Sequence, residues 1–184
     1  MGDGRSPRRD DRKRQTPYRL RGGQQYSGGR RLAATLREGA PVTVEGPYGR
    51  FERPADPAAG PQVWVAGGIG VTPFLAWLEA ARDAPGDRPP VWLHYCVRDA
   101  GADPFVEVLR QRCEALDNVT LQVHSAAQGQ RLEAASLAQG EVAAGRVADV
   151  WYCGPAGLAT ALRQGLRRLG RGGVHWRQEA FDMR

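Results

Sequence analysis

From residue 63 onward, short runs rich in β-branched and aromatic residues alternate with helical patterns. The runs that predict strands are VWVA (63–66), VWLHYCV (91–97), VTLQVHS (119–125), VADVWYCG (147–154) and VHWRQEAF (174–181). This alternation predicts a doubly wound parallel five-stranded sheet with helices on both faces. Because ligands bind at the carboxyl ends of such strands, we look for function in the loops after residues 66, 97, 124 and 153.

Helical periodicity between these runs predicts helices at about 73–82, 103–116 and 133–139. In the second helix Asp103 is a suitable N-cap and Pro104 suits the first helical position. The face predicted to be apolar carries Phe105, Val108, Leu109, Cys113 and Leu116. A fourth helix is predicted from a stripe of Leu158, Leu162, Leu166 and Leu169, which ends at GRGG.

The net charge of +6 is concentrated at one end of the 184-residue chain. Residues 1–31 hold ten Lys and Arg against three Asp, whereas the remainder holds sixteen against seventeen Asp and Glu. We therefore expect residues 1–30 to form a disordered basic tail attached to a near-neutral globular part. A tail of this kind could also contact a nucleic acid or an anionic membrane, but no folded basic surface with interleaved aromatic residues supports a specific nucleic-acid function.

Cys96, Cys113 and Cys153 are odd in number and lack zinc-type spacing, which favours free thiols in a reducing compartment and predicts no metal site. The charged N-terminus does not resemble a signal peptide, and Val63–Leu78 is too short and glycine-rich to span a membrane. We expect a cytoplasmic protein, and a peripheral position at the inner face of the membrane stays open.

Residues 31–60 offer one short helix, a turn at Gly39–Pro41 and a strand at Val42–Glu45. These pieces are too few to form a domain. The predicted organisation is a tail at 1–30, a domain remnant at 31–60 and an α/β domain at 61–184.

The glycine-rich segment GGIGVTP follows the first strand and precedes a helix. It is either an ordinary tight turn or a phosphate site, in which Gly68 and Gly70 leave the backbone N–H groups accessible. Thr72 could cap the helix that begins at Pro73, and the helix N-terminus would attract an anion. The predicted phosphate-binding residues are Gly67, Gly68, Ile69, Gly70, Val71, Thr72 and Pro73.

The second strand runs into Arg98 rather than into the acidic residue that would hold an adenosine ribose. A guanidinium there could stack on adenine or pair with a 2′-phosphate, which favours NADPH over NADH. The alternative is a surface arginine without a ligand.

The fourth strand ends in Cys153, Gly154 and Pro155, where another helix begins. A thiol at this position can lie against a nicotinamide ring, because it is small and polarizable. No histidine with a carboxylate partner is evident in the sequence near Cys153, so a nucleophilic role is not expected. We expect His94, His124 and His175, which lie within predicted strands, to be structural.

Six motifs resemble, in order and spacing, those of ferredoxin-NADP reductase-like flavoproteins: VEGPYGRF, VAGGIGVTPF, HYCVRD, GQRL, WYCGP and EAFDMR. The first and last are most similar to the reductase half of bacterial ferric-reductase-like, haem-containing membrane proteins. The resemblance covers about residues 31–184 and implies a domain that binds NAD(P)H.

The resemblance also implies roles for single residues. Pyrophosphate would lie on Gly68–Thr72, adenosine near Arg98 and Arg131, and nicotinamide beside Cys153–Pro155. The residues implied near the reacting rings are Cys153, Glu179 and Phe181. Hydride would pass from NAD(P)H to FAD, and single electrons would then pass to haem, ferric iron or an iron-sulfur partner.

The sequence departs from this family in its first sixty residues. TPYRL (16–20) is a distorted form of the flavin motif of the antiparallel barrel, and Gly28 and Gly29 stand where hydroxyl side chains are expected. We therefore expect a remnant of the FAD-binding domain with weak flavin binding. The alternative function is a non-enzymatic nucleotide-binding module that docks on a partner carrying the flavin site.

Overall fold

The computed structural model describes residues 37–41, 51–52, 60–83, 88–142 and 149–179. The chain divides into two compact units, Met1–Pro47 and Tyr48–Arg184. Within the first unit, the Ala40 N–H donates to the Arg37 carbonyl at 3.0 Å, and Gly39 has a φ of +83°. A turn is thus present where one was predicted, whereas the predicted tail and the strand at Val42–Glu45 lie outside the described residues.

A five-stranded parallel sheet forms the centre of the second unit. Its strands are β1 (Gln62–Gly67), β2 (Val91–Val97), β3 (Val119–Ser125), β4 (Asp149–Cys153) and β5 (His175–Glu179). The spatial order is β3-β2-β1-β4-β5, so the direction of strand addition reverses between β1 and β4. This is the predicted doubly wound sheet, with a topological switch point at the carboxyl end of β1.

Helices cover both faces of the sheet. They are α1 (Thr72–Asp83), which continues a 3₁₀ turn at Gly68–Val71, α2 (Phe105–Glu114), α3 (Ala134–Gln139) and α4 (Ala156–Arg168). Residues of α1 and α2 share one buried cluster with the sheet, and residues of α3 and α4 share the other. Alternate residues of each buried strand, such as Val150 and Trp151, enter opposite clusters, as expected for strands covered on both sides.

The start of α2 was correctly predicted from Asp103 and Pro104. The Asp103 carboxylate accepts the Phe105 N–H at 2.9 Å and also the Tyr95 hydroxyl at 3.0 Å, while Pro104 already has helical dihedral angles. Two details of the predicted apolar stripes were wrong. Val106, which the predicted stripe left out, is buried, whereas Val108, which it included, is only half-buried. The side of α2 that faces the core therefore includes position 106.

Leu169 is the second error, because α4 ends at Arg168 and leaves this leucine 48% exposed. All three cysteines are free thiols, as predicted, and Cys113 is buried in the core. Among the aromatic residues, five rings of the first cluster contact one another with centroids 5.0–5.8 Å apart: Phe51, Trp64, Phe74, Trp77 and Trp151. Full burial of each such side chain contributes about 1.5–3 kcal/mol to folding.

Candidate functional site

The loops after β1 and β4 meet at three glycines, Gly67, Gly70 and Gly154, which we call the glycine clasp. A Cβ atom on Gly70 would collide with the backbone carbonyl of Cys153, and one on Gly154 would lie 2.9 Å from the Cα of Gly67. Both contacts would be closer than those that real Cβ atoms make. Gly67 and Gly70 are themselves buried. Glycine is therefore required at these positions because two backbones approach each other.

In the predicted phosphate loop, Ile69 and Thr72 are exposed and Gly68 is half-buried. Gly68 has a φ of +54°, which favours glycine, and no atom lies within 4 Å of the place where its Cβ would be. The Ile69 side chain is 49% exposed. The prediction that Gly70 leaves space for a phosphate was wrong, because protein backbone fills that space, whereas Gly68 faces an open space.

Thr72 does not cap the helix. It has helical dihedral angles, and its N–H donates to the Ile69 carbonyl, because the 3₁₀ turn extends the helical segment back to Gly68. The N-terminal amides therefore belong to the start of the 3₁₀ turn. Val71 has no exposed surface and packs in the core, while Pro73 is half-buried in the first turn of α1.

Cys153 lies beneath the glycine clasp with no exposed surface. Burial raises the pKa of its thiol to about 11, and the nearby Glu179 carboxylate, its register partner on β5, adds to this effect. The thiol is therefore neutral at pH 7. Beside it, the Tyr152 hydroxyl donates to the Pro155 carbonyl at 2.6 Å, while Pro155 itself is exposed.

Arg98 and Arg131 are both exposed, on the loops that follow β2 and β3. We call residues 98–101 the Arg98 loop and residues 126–131 the Arg131 loop. The Ala127 N–H donates to the Arg98 carbonyl at 2.8 Å, and this bond joins the two loops. The structure thus places both predicted adenosine-binding arginines on two hydrogen-bonded loops at the carboxyl edge. Phe181, predicted near the reacting rings, lies outside the described residues.

Three polar side chains form a cluster between the sheet and the end of α3, and sequence reasoning missed this cluster. The Nδ1 atom of His94 is 3.0 Å from the Nε2 atom of His124, and His94 Nε2 is 3.5 Å from a Glu141 carboxylate oxygen. Burial, and secondarily His94, lowers the pKa of His124 to about 4, so this ring is neutral at pH 7. The two strand histidines were predicted to be structural, but no local signal links them to Glu141. His175, the third histidine, is exposed at the start of β5.

Two kinds of feature were not found in the described part of the chain. Across its five ranges, no three His, Cys, Asp or Glu side chains are grouped so that they could hold a metal ion. None of the helices described there is both long and apolar enough to cross a membrane.

No protein-family model matches the sequence. The carnitine monooxygenase reductase subunit of Escherichia coli (strain K12) is 32% identical over 143 residues, which cover 77% of this chain and 41% of that protein. The heme-dependent oxidative N-demethylase beta subunit of Ectopseudomonas mendocina (strain ymp) is 33% identical over 164 residues, which cover 88% of this chain and 46% of that protein.

Two solved structures have a similar fold. One is the flavohemoglobin of Malassezia yamatoensis with bound FAD and heme, with a TM-score of 0.55 and 21% identity over 69% of this chain and 33% of that one. The other is the cytochrome b5 reductase domain of Ulva prolifera nitrate reductase, with a TM-score of 0.53 and 18% identity over 66% of this chain and 49% of that one.

These relatives and structures support the ferredoxin-NADP reductase-like flavoprotein family for this chain. This agrees with the family predicted from the six motifs. The narrower likeness of this ferredoxin-NADP reductase-like chain to ferric-reductase-like membrane proteins stays a prediction. The chain spans less than half the length of these two curated relatives.

Proposed function

We propose that the chain is the NAD(P)H-binding part of a reductase that passes electrons through FAD to a redox partner. The observation that carries this proposal is the position of Gly68 and Ile69, accessible and open, at the topological switch point between β1 and β4. In open α/β sheets this crevice is where ligands bind. Arg98 and Arg131 lie along the same edge, over β2 and β3.

The described residues suit the phosphate and adenosine ends of a dinucleotide. The pyrophosphate would accept hydrogen bonds from backbone N–H groups at the start of the 3₁₀ turn, beside Gly68, where a helix N-terminus adds a partial positive charge. Arg98 and Arg131 would hold the adenosine end, and their two positive charges favour NADPH, with its 2′-phosphate, over NADH. Bound NADPH would supply the hydride.

The described residues suit the nicotinamide end of the dinucleotide less directly. Because Cys153 has no exposed surface, the ring would contact the backbone of Gly154 and the exposed Pro155 before it reached the thiol. Glu179 lies next to Cys153 at the end of β5, half-buried, and would lie on one side of the ring. Of the two C-terminal residues predicted near the flavin ring, Glu179 is described, whereas Phe181 lies outside the described residues.

The electron acceptor would be a haem protein, ferric iron or an iron-sulfur protein. The names of the relatives support a separate redox partner, because one is the reductase subunit of a monooxygenase and the other a subunit of a heme-dependent N-demethylase. A haem-bearing membrane domain, implied by the ferric-reductase resemblance, is the narrower form of this proposal.

A second candidate is a non-enzymatic module that binds NADPH and docks on a partner carrying the flavin site. The full burial of Cys153 favours it, because a covered thiol leaves the reacting ring without its expected neighbour. Absorbance of bound flavin and NADPH-dependent reduction of ferricyanide separate the two. Both occur if this chain completes the enzyme, and neither occurs if it is a binding module.

Gly68 allows a direct test of the pyrophosphate site. Asn and Asp tolerate a positive φ better than other side chains and have nearly the same shape, so Gly68→Asn and Gly68→Asp form a matched pair. If phosphate binds here, the added carboxylate should weaken NADPH binding by about tenfold or more relative to Asn, measured by calorimetric titration. Equal affinities in the two variants would contradict the assignment, and no binding by the parent chain would overturn the proposed function.

A further inference from the structure

Ser125, the last residue of β3, is hydrogen-bonded to both of the loops that carry the arginines. Its side chain has no exposed surface, and its Oγ atom accepts the N–H of Ala100 in the Arg98 loop at 3.2 Å. Its backbone carbonyl accepts the N–H of Gln130 in the Arg131 loop at 3.0 Å. One buried residue therefore holds a hydrogen bond to each loop.

A third hydrogen bond joins the loops directly, from the Ala127 N–H to the Arg98 carbonyl. The three bonds involve the backbone of Arg98 and Ala100 in one loop and of Ala127 and Gln130 in the other. Each such hydrogen bond contributes about 0.5–1.5 kcal/mol, so the three together restrict where the loops can lie. Asp99 adds a local restraint, since its carboxylate accepts the Gly101 N–H at 2.9 Å.

We propose that Ser125 is a positioning residue for recognition of the 2′-phosphate of the nucleotide, acting through the Arg98 and Arg131 loops. This inference rests on the proposed function. Ser125 does not touch the ligand, because it is fully buried. Its hydroxyl oxygen fixes the position of the Arg98 loop relative to the Arg131 loop, so that both guanidinium groups can bind the same phosphate.

The energetic reason is preorganisation. Two long arginine side chains already lose rotamer freedom when they bind a phosphate, and loops that also had to be ordered would add to that cost. A ligand without the 2′-phosphate does not need both arginines at once. Loss of the Ser125 bond should therefore weaken binding of the 2′-phosphate much more than binding of the rest of adenosine.

Adenosine 2′,5′-bisphosphate and adenosine 5′-monophosphate are suitable probes, because they differ only in the 2′-phosphate and neither contains nicotinamide. Their affinities are measured by calorimetric titration for the whole chain and for Ser125→Ala. Ser125→Cys is a second variant that fills the same space with a much weaker acceptor. Ser136→Ala, at an exposed position in α3, is the matched control.

We expect the parent chain to prefer the bisphosphate by about tenfold or more, through charge-assisted bonds to the arginines. Ser125→Ala and Ser125→Cys should reduce this preference by about fivefold, with a change of less than about twofold for the monophosphate. Ser136→Ala should match the parent. A merely structural role for Ser125 would lower both affinities together or neither, because general loosening of the fold does not distinguish the two ligands.

The outcomes separate the two proposals. If the parent prefers the bisphosphate and both Ser125 variants keep the full preference, the role of Ser125 is wrong and the proposed function stands. If the parent binds both probes equally, the arginines do not recognise the 2′-phosphate, and the inference fails while nucleotide binding stands. If the parent binds neither probe, both proposals are overturned.

Discussion

The carboxyl edge of the sheet has two halves that are built by different means. At β1 and β4, the loops pack directly against each other, because Gly67, Gly70 and Gly154 have no side chains to separate the two backbones. At β2 and β3, the loops are held by hydrogen bonds, and they carry exposed positive charge at Arg98 and Arg131. In the first half the three clasp glycines tolerate no added side-chain atom, whereas the second half contains side chains that can be changed without a collision.

This difference shows that glycines in a nucleotide-type motif can have separate reasons for being glycine. Gly68 provides a left-handed backbone and an open space, while its neighbour Gly70 serves the packing of the protein against itself. A substitution at Gly70 therefore tests the fold, and a substitution at Gly68 or Arg98 tests the ligand. The largest effect on stability should thus fall at Gly70, and the largest effects on ligand affinity at Gly68 and Arg98.

Gly70→Ala should have the largest effect of any single change at this edge. The new methyl group would meet the Cys153 carbonyl and, at 2.9 Å, the Gly154 nitrogen, and backbone atoms cannot move aside cheaply. We expect a loss of about 3 kcal/mol or more in the free energy of unfolding, measured by urea denaturation. Gly157→Ala, in open space in the first turn of α4, is the control and should be neutral or slightly stabilising. Equal stability of the two variants would show that the clasp is not tightly packed.

The reactivity of Cys153 measures how well the glycine clasp keeps solvent away from this thiol. Because burial raises the thiol pKa from 9.0 to about 11, the thiolate fraction at pH 7 falls about a hundredfold relative to the unfolded chain. Alkylation by iodoacetamide, mapped by mass spectrometry, should be slower in the native protein by at least that factor. The rate should rise about tenfold per pH unit up to about pH 11, because only the thiolate reacts. Rapid labelling at pH 7 would mean that this half opens in solution.

Arg98→Ala should have a smaller effect, confined to the ligand. Loss of one charge-assisted contact of about 1.5–3 kcal/mol should weaken NADPH binding about ten- to a hundredfold. NADH affinity should change much less, and thermal stability should not change, because the side chain is exposed. Arg168→Ala, in the last turn of α4 at the other edge of the sheet, should leave both affinities unaltered. An equal loss for NADPH and NADH would instead indicate that Arg98 stacks on adenine.

The strands were predictable because each one carries its own pattern. VWLHYCV and VTLQVHS match β2 and β3 residue for residue, since β-branched and aromatic runs specify a strand locally. The start of α2 was also local, because Asp103 and Pro104 lie within two residues of the first helical hydrogen bond. The position of the phosphate loop after β1 followed from the order of these elements.

What could not be predicted depends on residues that are distant in the sequence. Gly70 meets Cys153 across more than eighty positions, and no property of a glycine-rich loop shows which glycine faces backbone and which faces solvent. Ser125 gave no signal, because a serine at the end of a strand is ordinary until its neighbour Ala100 is known. The exposure of Leu169 depends on where α4 ends, and helix ends are set by local capping that a stripe of leucines does not contain.

Phe51 packs its ring against Trp77, with centroids 5.0 Å apart, and against the edge of Trp151 at 5.4 Å. Trp77 in turn contacts Trp64 at 5.1 Å, and the Arg177 guanidinium lies over Trp151 at 4.9 Å. Indole emission responds to the polarity and to the charged or aromatic neighbours of the ring. The protein therefore carries an intrinsic fluorophore array whose emission and near-ultraviolet circular dichroism would report, without any label, whether Phe51 is seated in the core.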